Sequence, residues 1–160
     1  LERPAARAAA NAPDSPERDL ALENAREHLL EMYLPQVSNE RFHFCDTRFH
    51  YELSKLGGNI VLDTVIDSLH MATISYVQEA VPLLRDWDSV KQTLQDQHRG
   101  IYEAISTRDE DAAYERVCEH IKWFYSLSDR ARDQQRERQA QVMDADALPH
   151  QVVLHEEHLA

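Results

Sequence analysis

Two histidines stand at equal distances from a break between two helical stretches. His98 lies in QDQHRGIYEAI and His120 in RVCEHIKWFY. Each falls on an apolar stripe with steps of three and four. The first stripe is Val90, Leu94, His98, Ile101, Ile105; the second is Ala113, Val117, His120, Phe124, Leu127. Between them the segment STRDED interrupts the pattern, with Asp109 beside the N-cap of the second helix. Position 109 is the midpoint of 98 and 120, so each histidine is eleven residues from the turn. Two antiparallel helices joined there place both imidazoles roughly 16 Å down the hairpin, level with each other. A chain with this spacing is constrained to a helical hairpin in which two buried imidazoles meet.

A third stretch, CDTRFHYELSKLGGN, carries Asp46 and His50, four residues apart and therefore one turn apart on one helix face. Burying an imidazole without a partner is costly, so each such ring takes a hydrogen bond or a metal. A single core histidine is most often satisfied by a hydrogen bond. Two at matched depth, plus an Asp–His pair on a third helix, favour a metal. Asp46, His50, His98 and His120 are the expected ligands. One carboxylate oxygen and three imidazole nitrogens suit a divalent first-row ion, Zn²⁺ first, then Ni²⁺ or Mn²⁺. The set makes either a closed tetrahedral site or an octahedral one with two positions left for water or a bidentate ligand.

His43 shares the face of Asp46 and His50. It is a candidate for a supporting role or a replacement ligand, against the commoner outcome of a partly exposed histidine at a helix start. His28 and His70 lack partners at matching spacing and read as structural, and His150, His155 and His158 read as solvated tail residues. Arg48 points away from Asp46 and His50, toward a surface salt bridge. Met71, Trp123, Phe124 and Tyr125 read as core.

The rest of the chain reads as helices throughout. With 3 Gly and 6 Pro in 160 residues, turns are too few for a strand protein, and no alternating pattern of strand length occurs. Helices are expected over residues 1–10, from Ser15-Pro16 to about Tyr33, from Ser38-Asn39 to Gly57-Gly58, over 61–82, from Trp87-Asp88-Ser89, and through His120 to about Gln141. Residues 144–160 lack a period and are expected as a flexible tail, leaving 1–143 as one domain. The net charge of −12, with no basic stripe, argues against direct contact with nucleic acid. No run is long enough for a membrane span. Cys45 and Cys118 fit reduced thiols of a cytoplasmic protein better than a disulfide frame.

The motifs LERPAARAAA, DTRFHYELSKLGGN and HRGIYEAISTRDEDAAYERVCEHI together resemble the C-terminal effector-binding (FCD) domain of the FadR branch of GntR transcription regulators. The resemblance spans residue 1 to about 130. It implies an all-α bundle of about six to seven helices with an internal metal, held by the same Asp46, His50, His98 and His120. It implies a small carboxylate effector, such as a hydroxy acid, keto acid, sugar acid or dicarboxylate, that completes the metal's coordination. Asn59 matches the family's Asn, as a helix cap or a pocket-lining residue. A homodimer is expected, and operator DNA is expected to be bound only through an N-terminal winged helix-turn-helix that this chain does not include.

Three other readings compete with that of a sensor. A metal-dependent hydrolase needs a general base, for which Glu52 and Glu119 are the nearby candidates in sequence, Glu119 poorly aimed. A di-iron bundle needs two Glu-x-x-His motifs, and only Glu40–His43 is present. A purely structural metal site requires no effector.

Overall fold

A computed structural model describes residues 3–58 and 86–146. The chain is all-α, and the described residues contain five helices and no strand: α1 (Arg3–Asn11), α2 (Pro16–Met32), α3 (Asn39–Lys55), α4 (Trp87–Ser106) and α5 (Glu110–Asp146). The helix expected over 61–82 and the candidate Asn59 lie outside the described residues. The last helix runs further than its sequence suggests. Residues 144–146, expected in the tail, belong to α5, whose 37 residues span roughly 55 Å. No described helix is long and apolar enough to cross a membrane.

Local chemistry sets the boundaries. Ser15 caps α2 by accepting from the Arg18 amide at 3.1 Å, with Pro16 at the first helical position and Glu17 and Asp19 in the first turn. Ser38 caps α3 through the Arg41 amide, and Asp86 caps α4 through the Ser89 amide, each at 3.1 Å. Past the end of α3, Gly58 sits at φ +68, a conformation glycine adopts without steric cost.

The turn between α4 and α5 positions the two histidines. Thr107 caps α4, Arg108 follows in the left-handed region at φ 62, and the Asp109 amide bonds back to the Ala104 carbonyl at 2.9 Å. The Arg108 amide bonds to the Ile105 carbonyl at 3.2 Å. This pair of bonds stops the helix and reverses the chain. Asp109 then caps α5, accepting from the Ala112 amide at 2.9 Å. A left-handed residue other than glycine costs roughly 1–2 kcal/mol. The Arg108 side chain offsets that cost by donating to the Ala12 carbonyl at 2.6 Å and pairing with Asp14.

The core forms where the apolar stripes meet. Phe42, Cys45, Phe49 and Leu53 of α3 are fully buried, together with Met32, Ile101, Ile105 and Ala113, and Val117 is almost so. Helix α2 packs along α3, α4 packs along α5, and α1 lies mainly against α5. Ala5, Ala6, Ala9 and Ala10 make the inner face of α1, so its backbone approaches closely but buries little apolar area. Polar ties supply the rest. Arg7 pairs with Asp111 at 2.8 Å and lies over the Tyr114 ring.

Arg18 is the buried member of this group, 4% exposed. Its Nη1 donates to the Ala9 carbonyl and its Nη2 to the Ile105 carbonyl, both at 3.1 Å. Both acceptors lie in the last turns of their helices, where the helix dipole favours a cation, and each carbonyl also accepts one backbone amide, from Ala12 at 3.4 Å and from Arg108 at 3.2 Å. Arg18→Met therefore removes two charge-assisted hydrogen bonds from a buried site and costs about 2–4 kcal/mol in urea unfolding. Arg7→Met, at the exposed pair, costs less than about 1 kcal/mol. Equal costs for the two variants would contradict the clamp.

Candidate metal centre

Three helices bring four side chains to one point. Asp46 and His50 lie one turn apart on α3, His98 projects from α4 and His120 from α5. The rings of His98 and His120 meet across the hairpin with centroids 4.8 Å apart, at the level set by the turn. His50 closes the group at 4.9 Å from His98 and 5.1 Å from His120. His50 is 7%, His98 0% and His120 9% exposed. Phe49 forms one wall, edge-on to His50 at 5.3 Å and to His98 at 5.1 Å.

The polar atoms crowd more tightly than the rings. His50 Nε2 lies 3.0 Å from His98 Nε2. Asp46 Oδ1 lies 2.8 Å from His98 Nε2 and 3.6 Å from His50 Nε2. Asp46 Oδ1 is buried and, among the described residues, has no hydrogen bond of acceptable geometry, despite the short distance to His98. His50 and His98 share a hydrogen bond between their Nε2 atoms, and Asp46 Oδ1 converges on the same point. Ligand atoms 2.0–2.1 Å from a common ion sit roughly 3.0–3.4 Å apart, close to the spacing found here. Nitrogen ligation by three imidazoles and one carboxylate oxygen thus fits a divalent transition ion. The three histidines place one ligating atom each within 4.8 Å of one another.

Electrostatics prepares the same state. Burial pushes His50 well below the ordinary imidazole range, and Asp46 opposes this only in part. Burial, with His98 beside it, pushes His120 down to about 3. Both rings are therefore neutral near pH 7, as ligation requires. Burial raises the Asp46 carboxyl, but the adjacent His98 and His50 imidazoles outweigh that and hold it well below the usual carboxylate range. The cluster thus sets one anion beside the neutral rings of His50 and His120.

The remaining sequence candidates fall elsewhere. His43 is buried, 6% exposed, rather than partly exposed at a helix start. It packs between Phe42 and Trp87, at 5.8 and 5.3 Å, because α4 begins directly over the first turns of α3. The three-histidine group does not include it. Arg48 makes its ion pair with Glu52 at 3.3 Å and stacks over Tyr51, away from the cluster. Glu52 is buried and held by Asn24, Arg48 and Lys55, and Glu119 is exposed. Neither carboxylate is placed as a base at the cluster. Cys45 and Cys118 are free thiols.

Two features were not read from the sequence. His120 Nδ1 lies 2.9 Å from Gln97 Oε1. The only sequence signal was position, since Gln97 precedes His98 on the helix that faces α5. His28, Glu31 and Cys45 also cluster. Glu31 is held by Arg41 through two nitrogens, and burial with Glu31 alongside pushes the Cys45 thiol up to about 12. A cation there meets an arginine and a protonated thiol, so this second group does not fit a metal.

No curated protein and no solved structure matches the chain. The FCD domain family does, over residues 1–122. The match ends two residues beyond His120 and takes in all four converging side chains, together with the alanine-rich first helix and the α4–α5 hairpin. The helical architecture and the match over three quarters of the sequence agree, and the chain belongs to the FCD family, the C-terminal regulatory domain of GntR-type transcription regulators.

Proposed function

We propose that this domain holds one divalent ion on Asp46, His50, His98 and His120 and senses a small carboxylate that binds beside it. The convergence of two Nε2 atoms and a buried carboxylate oxygen within 2.8–3.6 Å is the observation that carries this reading. Domains of this family bind metal, which supports it. Zn²⁺ is the first choice for this donor set, with Ni²⁺ and Mn²⁺ as further occupants. The ion would supply a fixed positive charge and open coordination positions for an anion.

The chain's own residues do the rest. Asp46 and His50 hold their positions by helix geometry, His98 and His120 by the hairpin, and Phe49 keeps water from one side. His43 is assigned a supporting place near this centre, buried against Trp87, rather than ligation. Asn59 is assigned to capping or to the effector pocket. The protein is read as a member of the FadR branch acting as a homodimer, with DNA bound by an attached winged helix-turn-helix domain.

The ties between α1 and the hairpin support a route for the signal. Arg7–Asp111, Arg108–Ala12 and the Arg18 clamp link the N-terminal helix to the two helices that carry His98 and His120. An effector that binds one packing of the hairpin more tightly shifts the balance between packings. Thermal-shift measurement with hydroxy acids, keto acids, sugar acids and dicarboxylates tests the proposal. At a hundredfold excess over Kd, a carboxylate adds about 2.7 kcal/mol, or roughly 5–10 °C in Tm, and only when metal is present. Bound metal with no response to any carboxylate would instead indicate a structural site. Turnover of an ester or amide by the loaded protein would indicate a hydrolase.

A further inference from the structure

We propose that Gln97 is the positioning residue that fixes the ligating tautomer of His120. The inference rests on the metal reading above. Its observation is separate: His120 Nδ1 and Gln97 Oε1 lie 2.9 Å apart, across the α4–α5 interface. A neutral imidazole carries one proton, on one nitrogen or the other. When Nδ1–H donates to the amide oxygen, the lone pair is left on Nε2, on the side of the ring away from Gln97. With Nδ1 engaged by Gln97, Nε2 is the nitrogen left for the cluster, where the His98 and His50 rings lie 4.8 and 5.1 Å from that of His120.

The placement is economical in sequence. Gln97 and His98 are neighbours on α4, and their side chains diverge by about 100° around the helix. One turns into the cluster and the other reaches the far nitrogen of the histidine opposite. A single helix thus supplies one ligand and orients another. Partners of this kind fix ring orientation and raise ligand basicity, and losing one typically weakens metal binding about 10–100-fold. The hydrogen bond also resists rotation of a ring that is 9% exposed and lies at the edge of the core.

The alternative is that Gln97 merely satisfies a half-buried nitrogen, with no bearing on the ion. Two readouts separate these. The first is Zn²⁺ affinity, measured by competition with a chromogenic chelator, in the parent chain, Gln97→Leu and Gln97→Glu. The second is the nitrogen chemical shifts of His120 in the metal-free proteins near pH 7, which report the tautomer directly. The parent and Gln97→Glu should show His120 protonated at Nδ1, and Gln97→Leu a mixture of tautomers. Gln97→Leu should bind Zn²⁺ about 10–100-fold more weakly, while Gln97→Glu, which keeps the acceptor, should bind at least as tightly as the parent.

Parent-like affinity in Gln97→Leu, or an equal loss in Gln97→Leu and Gln97→Glu, would overturn the proposal. So would a parent protein with His120 protonated at Nε2. A parent chain that binds no Zn²⁺ while showing the Nδ1–H tautomer would sink the metal reading and, with it, the ligating role, leaving only a hydrogen bond.

Discussion

If the proposed site holds its ion, the His98→Ala variant should purify with little of the metal found in the parent chain, and its affinity should fall at least 100-fold. His98 is fully buried in the cluster, with its Nε2 2.8 Å from Asp46 Oδ1 and 3.0 Å from His50 Nε2. Losing a supporting partner alone costs about 10–100-fold, so losing a ligand costs more. The deletion also leaves the Asp46 carboxylate with fewer compensating groups in a site that burial already disfavours for charge. In buffer with metal, a hundredfold loss of affinity removes about 2.7 kcal/mol of linked stability. With chelator present, most of that gap between variant and parent should close. Unchanged metal content in His98→Ala, or an equal gap with and without chelator, would contradict the assignment.

Phe49→Ala should be the most damaging single change in the apolar core, at about 3–5 kcal/mol. Phe49 is fully buried, in the middle of the α3 stripe. It also stands edge-on to His50 and His98. The cavity would therefore loosen two ligands as well as the core, and metal affinity should fall alongside stability. Denaturant midpoints in chelator measure the first effect, and metal titration measures the second. A loss below about 1 kcal/mol would mean that the core collapses around the gap. An unchanged metal affinity would mean that the rings hold position without this wall.

Much of the architecture was legible because several local signals agree. Ser15-Pro16, Ser38 and Asp109 are residues that cap helices through a short side-chain oxygen, and each does so. The stripe Phe42, Cys45, Phe49, Leu53 has helical steps and lies buried along its length. The meeting of His98 and His120 follows from symmetry about residue 109 and the fixed rise of a helix. The motifs that placed the chain in its family fall inside the segment the family match covers.

Other features depend on tertiary contacts that periodicity does not encode. His43 reads as a residue near a helix start, yet it is buried, because Trp87 from a distant stretch lies over it. Arg18 looks like an ordinary first-turn residue. Its burial follows from the convergence of two helix C-termini, 9 and 87 residues away in sequence. Gln97 carries no pattern of its own, and only the facing of α4 and α5 gives it a partner on His120. The length of α5 was underestimated because its last turns are polar and lack an apolar stripe, while nothing there breaks the helix.

The most direct test of the account is the metal content of the purified, dialysed domain, determined by elemental analysis beside the His98→Ala variant. The account predicts about one equivalent of a divalent first-row ion per chain in the parent and a small fraction of that in the variant. A parent chain that holds no metal after exposure to Zn²⁺, Ni²⁺ and Mn²⁺ would contradict it, and would leave the crowding of Asp46, His50, His98 and His120 to be explained by shared protons alone.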